Sequence, residues 1–143
     1  MKYIIRNFNA GSVATVGVNG RPKVSPKATF LILDDATIAF ANIRLPGTIE
    51  NLRCNSSLEV CFTDILSRKA VRVSGTGEVV LISDVPANIR YPFQEGWDYL
   101  ADQISAFIVI TVTAAEMILS PAYDCGLKEA DLKKSNLEKL NAL

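Results

Sequence analysis

The Asn19-Gly20 pair, which follows a stretch rich in β-branched residues, constrains the fold of this chain more than any other feature. The stretch before it, SVATVGV, has the composition of a strand, and Asn-Gly favours the positive φ angles of a tight hairpin turn. The next strand should therefore return antiparallel beside the first. It reads as two pieces, RPKVSP and KATFLIL, because Pro22 and Pro26 each remove a backbone donor and so indicate an edge strand or a bulge.

More strands follow this hairpin. A second turn leads into a third strand, TIAFAN, so the first three strands are predicted to form a meander. Further strands are predicted over Ser57–Ile65 and Lys69–Ile82, the second interrupted by Gly75 and Gly77, which indicate a bulge or a barrel corner. The run AFIVITVTA, at 106–114, is apolar almost throughout, which predicts burial on both faces and a central position in the sheet.

Two segments in the second half of the chain are expected to be helical. Residues 83–99 have mixed polarity, which is typical of a helical crossover, with Ser83 or Asp84 as its cap. From Leu127 the chain becomes LKEADLKKSNLEKLNAL, a charged helical tail whose sparse apolar points are Leu127, Leu137 and Leu140. The pattern predicts a mainly β protein, an antiparallel six-stranded barrel with short helices over 1–123 and a helical tail over 124–143.

The composition excludes several classes of function. Lysine plus arginine and aspartate plus glutamate number 15 each, so no net charge favours nucleic acid or anionic lipid. The chain has no histidine, which excludes Ser-His-Asp and Cys-His catalysis and every His-ligated metal site. The three cysteines form no close pair and indicate neither a disulfide framework nor a zinc site. Any chemistry is therefore expected to come from a bound cofactor.

The distribution of apolar residues also bears on location. The start, MKYIIRNFNAG, lacks the apolar run of a signal peptide, and no later run approaches the length of a membrane span. We therefore expect a cytoplasmic protein that does not insert into a membrane.

The stretch RLPGTIENL has the features of an anion-binding turn. A helix that starts at Thr48 presents free backbone N–H groups and the positive end of its dipole, and the threonine hydroxyl serves as the cap. Gly47 permits close approach of the backbone, and Arg44 supplies a charged donor. Lys27 reaches the same place if its strand neighbours the third one. The alternative is an ordinary capped helix beside a solvated arginine, and the local pattern leaves both open.

Two longer stretches, VATVGVNGRPKVSPKATFLILDDATIAFANIRLPGTIENLRCN and AFIVITVTAAEMIL, together resemble the pyridoxamine 5'-phosphate oxidase-like family of FMN-binding split barrels, most of all its small bacterial FMN-binding proteins. The resemblance runs from about Ser12 to Pro121. It rests on an ordered series: a G-x-P-x-x-S-P strand, an A-N strand end, a T-x-x-N-L helix start and a V-I-T-V strand. It implies a homodimer with one FMN per subunit, held between the two barrels.

The resemblance also implies which residues touch FMN. The phosphate would sit at Arg44 to Thr48 with Asn51 behind, the segment of Ser25 to Lys27 would run beside the flavin, and the third strand's end would give mainly backbone contacts. The full set of expected FMN residues is Ser25, Pro26, Lys27, Phe40, Ala41, Asn42, Arg44, Gly47, Thr48 and Asn51. Many relatives carry a lysine or arginine where this chain has Gly47, so Arg44 or Lys27 must supply the charge.

The activity implied is oxidoreduction through FMN, with no side chain as an obligatory acid or base. True pyridoxamine 5'-phosphate oxidases also carry an Arg/His substrate segment near the C-terminus, and its absence argues against the namesake reaction. A non-enzymatic FMN-binding electron carrier is the alternative, and a deazaflavin or haem is a further option for the ligand, the haem weakened by the missing histidine. Four side chains remain secondary, with packing or structural roles expected for Trp97, Tyr99, Cys54 and Cys61. Gln103 is a further candidate contact.

Overall fold

The computed structural model of the protein describes residues 1–44 and 46–143, which form one antiparallel sheet of seven strands and four α-helices. The strands are β1 (Gly11–Val16), β2 (Pro22–Lys27), β3 (Phe30–Ile32), β4 (Thr37–Asn42), β5 (Ser57–Asp64), β6 (Lys69–Leu81) and β7 (Ala106–Leu119). The helices are α1 (Lys2–Asn7), α2 (Pro46–Cys54), α3 (Ala87–Trp97) and α4 (Glu129–Asn141), with short 3₁₀ segments at Ile82–Asp84 and Asp98–Gln103.

The predicted hairpin is present, with β1 and β2 paired antiparallel. Its turn is longer than two residues: the Gly17 N–H donates to the Arg21 carbonyl at 2.9 Å, and the Gly20 N–H donates to the Gly17 carbonyl at 2.8 Å. Gly20 has a φ of 76°, while Asn19 is not among the residues with positive φ. Glycine alone therefore supplies the left-handed conformation that the turn requires.

The order of the strands explains how the sheet closes. It is β2-β1-β5-β6-β7-β4-β3, so β2 and β3 form the two edges, yet only Ala28 and Thr29 separate them along the chain. Because two residues cannot span an open sheet, the sheet must curl so that the end of β2 lies close to the start of β3. This confirms the antiparallel split barrel. Seven strands form rather than six because the second predicted strand divides at Ala28, with β2 pairing to β1 and β3 to β4.

Strand β7 lies between β6 and β4, which confirms its predicted central position. It is buried almost throughout from Ala106 to Ile110, and it runs on to Leu119 because β6 continues to pair with it beyond Thr37, the first residue of β4. The β6–β7 ladder shifts register between Ser74 and Gly75, so the predicted bulge is present. This bulge bends the long ribbon and helps the sheet to curl.

Aromatic rings fill the interior of the barrel. Phe30 contacts Phe40 and Phe62 at centroid distances of 5.1 and 4.7 Å, in tilted and edge-on arrangements. Helix α1, which the sequence analysis did not predict, adds the buried side chains of Ile4 and Ile5 to this cluster. Complete burial of such a side chain stabilises the fold by about 2–3 kcal/mol. The barrel therefore has a continuous apolar core below the surface on which the candidate site lies.

The crossover between β6 and β7 covers the outer face of the sheet. Phe93 of α3 packs edge-on against Phe107 of β7, with ring centroids 5.2 Å apart. The prediction that Ser83 or Asp84 caps this helix is wrong. Both residues lie in a 3₁₀ segment, and α3 begins after Pro86 with no side-chain cap. The extended conformation that proline favours, together with apolar packing, sets the start of this helix.

The C-terminal helix docks onto the turn between β5 and β6. The Asn136 side chain donates to the Leu66 carbonyl at 2.8 Å, the Lys69 ammonium contacts the Glu129 carboxylate at 2.5 Å, and Leu132 is the buried residue of α4. The leucines that the sequence suggested as apolar points of the tail are instead exposed: Leu127, Leu137 and Leu140. No helix within the described ranges is long and apolar enough to span a membrane.

Candidate functional site

A cleft of about 330 Å³ opens where the barrel is split. Its position follows from the topology, because β2 ends at one edge of the sheet and the chain crosses to β3 at the other. The end of β4 and the 3₁₀ segment before β7 complete its walls. The residues that line this split cleft are Pro26, Lys27, Ala28, Thr29, Ala41, Ile43, Arg44, Leu100 and Gln103.

Lys27 is the most unusual residue of the split cleft, because its side chain is buried and only 8% of the residue is exposed. Its Nζ donates to Asn42 Oδ1 at 3.1 Å and lies 5.7 Å from the centroid of the Phe40 ring. No ion pair in the described part of the chain includes Lys27. Burial lowers the pKa of its ammonium group, since the protein replaces water without supplying a negative charge.

The amide of Asn42 is fixed by Ser105. Its Nδ2 donates to Ser105 Oγ at 3.0 Å, and both Oγ and the backbone N–H of Ser105 donate to the Asn42 carbonyl at 2.8 Å. This arrangement turns Oδ1 towards Lys27. Ser105 was not predicted, because it lies 63 residues from Asn42 and reaches it only through the pairing of β4 with β7.

Thr29 holds the neighbouring residue of β4. Its Oγ1 accepts from the Ala41 N–H at 3.0 Å and donates to the Ala41 carbonyl at 3.4 Å. The backbone polar groups of Ala41, which were expected to face a ligand, therefore already have a partner within the chain. Phe40 is fully buried in the barrel core, so any ligand contact from it is limited to the backbone. Thr29 was also not predicted.

Helix α2 begins at Pro46, two residues earlier than expected. Proline suits the first position of a helix, since it needs no backbone donor there and its φ is already helical. Thr48 is consequently buried within the first turn, and its predicted role as the cap is wrong. The backbone N–H groups of Gly47 and Thr48 remain without partners inside the helix. Leu45, within the predicted phosphate loop, lies outside the described residues.

Open space surrounds Gly47. Among the described residues, a Cβ atom built on Gly47 meets no atom within 4 Å apart from its chain neighbours and its own helix backbone, so packing against these residues does not require a glycine here. Asn51, one turn further along α2, is buried and donates from Nδ2 to Thr15 Oγ1 of β1 at 2.9 Å. This hydrogen bond ties α2 to the barrel and fixes the direction in which the start of the helix points.

The ten predicted residues divide into those that line the split cleft and those that do not. Pro26, Lys27, Ala41 and Arg44 all line the split cleft, which brings four of the ten predicted residues together. Ser25 lies in β2, half-buried, opposite Val13 of β1. The other five do not line the cleft: Phe40 lies in the core, Asn42 contacts Lys27, and Gly47, Thr48 and Asn51 lie in α2.

The charges that line the split cleft have one sign. Lys27 and Arg44 are its ionisable residues, and no carboxylate lines it. Arg44 is exposed and takes part in no ion pair in the described part of the chain. Within residues 1–44 and 46–143, no group of three or more acidic or cysteine side chains is placed to hold a metal ion. The arrangement suits a ligand that has an anionic group and an apolar body.

Gln103 and three of the secondary side chains also have defined positions. Trp97 packs against Phe93 at 5.5 Å between ring centroids, as expected for a packing role, while Tyr99 is 77% exposed. Gln103 lines the split cleft. Cys54 is exposed at the end of α2 and forms no disulfide.

The family model described as pyridoxamine 5'-phosphate oxidase matches residues 1–119. The chain belongs to this family. Among solved structures, HupZ of Group A Streptococcus is 25% identical with a TM-score of 0.72, and the match covers 84% of this chain and 92% of that one. An FMN-binding protein of Syntrophomonas wolfei is 14% identical, with a TM-score of 0.67 and 82% of each chain covered. A comparison with curated proteins gave no match.

An F420 reductase is a third similar structure, 21% identical with a TM-score of 0.60, covering 75% of this chain and 88% of its own. Together these neighbours confirm the pyridoxamine 5'-phosphate oxidase fold.

Proposed function

We propose that this protein binds FMN in the split cleft, one molecule per subunit of a homodimer, and serves in oxidoreduction. The observation that carries the proposal is the lining of the cleft, which combines two cations, Lys27 and Arg44, with apolar walls and no carboxylate. FMN has the complementary parts, an anionic phosphate and a flat, largely apolar ring. When bound, FMN supplies hydride or electron transfer, and the protein supplies position and electrostatics.

The phosphate is assigned to Arg44 and the start of α2. The N–H groups of Gly47 and Thr48, the positive end of the helix dipole and the Arg44 guanidinium favour an anion together. The open space at Gly47 leaves the backbone accessible, and Asn51 holds the helix in place from behind. The ring is assigned to the remaining predicted residues, on β2 and at the end of β4: Ser25, Pro26, Lys27, Phe40, Ala41 and Asn42.

The proposal includes a second copy of the chain and a cytoplasmic location. Large apolar side chains are exposed on three strands of the sheet, among them Val24, Leu81 and Met117, and a dimer interface would cover such residues. Cys54 and Cys125 are free and exposed, which suits a reducing compartment. Light scattering at several protein concentrations tests the dimer, and a monomer throughout would contradict it.

Replacement of Arg44 tests the phosphate assignment. We expect Arg44→Ala to weaken FMN binding about 10- to 100-fold, since a hydrogen bond to a charged group contributes about 1.5–3 kcal/mol. Riboflavin lacks the phosphate, so its affinity should change little. Arg53→Ala is the matched control, because Arg53 is exposed in the last turn of α2 and does not line the cleft. Equal losses of FMN and riboflavin affinity in Arg44→Ala would defeat the assignment.

An electron carrier remains the second candidate function. The chain has no histidine and no carboxylate lines the cleft, so Lys27 is the one lining side chain in the described part of the chain that could exchange a proton with a substrate, which favours a carrier. Steady-state turnover with NADH or NADPH would support an enzyme. Reduction only by an electron-transfer partner would support the carrier. F420, named by one structural neighbour, is the competing cofactor in the same titrations.

A further inference from the structure

Lys27 is a buried cation that the protein does not neutralise. A lysine ammonium has three N–H donors, and Asn42 Oδ1 at 3.1 Å is its hydrogen-bond acceptor in the described part of the chain. A buried charge is costly unless an opposite charge pairs with it. The amide of Asn42 offers a dipole, and the Phe40 ring adds a weak attraction, but neither provides a negative charge.

The partners of Lys27 are themselves held in place. Ser105 accepts one hydrogen bond from the Asn42 side-chain amide and donates two to the Asn42 backbone carbonyl, which holds the Oδ1 acceptor towards the ammonium. Arg44, the other cation of the cleft, is exposed, and water and salt screen its charge. Lys27 lies in a less polar environment, so its charge interacts more strongly with a nearby charge than the charge of Arg44 does.

We propose that Lys27 is a redox-tuning residue that binds the reduced, anionic form of the flavin ring more tightly than the neutral oxidised form. The inference rests on the proposed function, since it requires FMN in the split cleft. Two electrons and one proton from the reductant convert the neutral ring to the reduced anion. The negative charge stays on the ring, the ammonium keeps its proton, and no bond to Lys27 forms or breaks.

The consequence is a higher reduction potential for bound FMN. By linkage, the ratio of the two binding constants equals the change in the reduction equilibrium. If Lys27 favours the reduced anion about tenfold, the potential of the two-electron couple rises by about 30 mV. The lowered pKa of Lys27 agrees with this role, because an anion in the cleft would restore the charged form that burial disfavours.

Replacement of Lys27 by methionine tests the inference, because methionine keeps much of the side-chain volume without the charge. The matched control is Lys23→Met, which removes an exposed lysine from the same strand. Potentials are measured by equilibration with a reference dye, together with the protons taken up per two electrons at pH 7. We expect Lys27→Met to lower the potential by about 30 mV and to raise proton uptake from one towards two, while Lys23→Met matches the wild type.

Asn42→Asp provides a second variant in case Lys27→Met does not fold. A carboxylate at this position pairs with the ammonium and should lower the potential in the same direction. If the wild type takes up no FMN, the proposed function itself fails. If the wild type binds FMN and the folded variants keep its potential and proton uptake, the proposed function stands and the role of Lys27 is overturned.

Discussion

Replacement of Gly75 by alanine tests how the long β6–β7 ribbon is bent. A Cβ atom at this position would clash with the Thr111 carbonyl oxygen and would lie 2.9 Å from Ile110 Cγ2. The first contact is with backbone, so the strands must separate at the bulge. Loss of about two ladder hydrogen bonds costs about 1 kcal/mol each, and overpacking against Ile110 adds about 1–3 kcal/mol. The expected loss in the free energy of unfolding is therefore about 3–5 kcal/mol.

Urea unfolding followed by circular dichroism measures this loss. With a denaturant slope of about 2 kcal/mol per molar, the unfolding midpoint should fall by about 1.5–2.5 M. Gly96→Ala is the control, because no atom lies within 4 Å of a Cβ at that exposed position in α3. Alanine there should stabilise the helix by about 0.5–1 kcal/mol. An unchanged midpoint for Gly75→Ala would refute the steric account of the bulge.

Two other changes probe the anion site and the tail. Gly47→Lys should tighten FMN binding about tenfold and leave riboflavin affinity unchanged, because the new cation meets open space beside the start of α2. Fluorescence titration measures both affinities, and a weaker FMN complex would contradict the assignment. Hydrogen bonds from Lys133 and Lys69 lower the pKa of Glu129 to about 2. This folded-state pKa lies below the ordinary carboxyl value, so the tail's anchoring should be complete above about pH 4.5 and weaken as the pH falls towards 2. In the wild type, protection of the α4 amides from hydrogen exchange should weaken over the same pH range. In Glu129→Gln this pH dependence should be absent. Identical pH profiles for the two proteins would count against the anchor.

Much of the barrel follows from local patterns. The hairpin at Gly20, the bulge at Gly75 and the buried run that becomes β7 each have a cause within a few residues of sequence. The two pieces of the second strand were predicted from Pro22 and Pro26, but their places at opposite edges of the sheet were not, because these depend on which distant strands pair with each piece. The contribution of α1 was missed for a similar reason, since Ile4 and Ile5 gain their role only when a barrel is present to receive them.

The candidate site shows the same division. Lys27 and Arg44 were predicted from charge and spacing, and both line the split cleft. Thr29 and Ser105 were not predicted, because their hydrogen bonds join residues that only the folded sheet brings together. Thr48 was given the wrong place in its helix. A threonine before a helical run is a good cap signal, but a proline two residues earlier is an equally good signal for the first helical turn.

The measurement that tests the central claim most directly is the visible absorption spectrum of the purified protein, followed by mass spectrometry of any molecule that heat releases. The account predicts a flavin spectrum and the release of FMN, or the uptake of added FMN by protein purified without it. A colourless protein that takes up no FMN would contradict the proposal. The split barrel would then share the fold of its family without the cofactor, and α2 would begin as an ordinary helix.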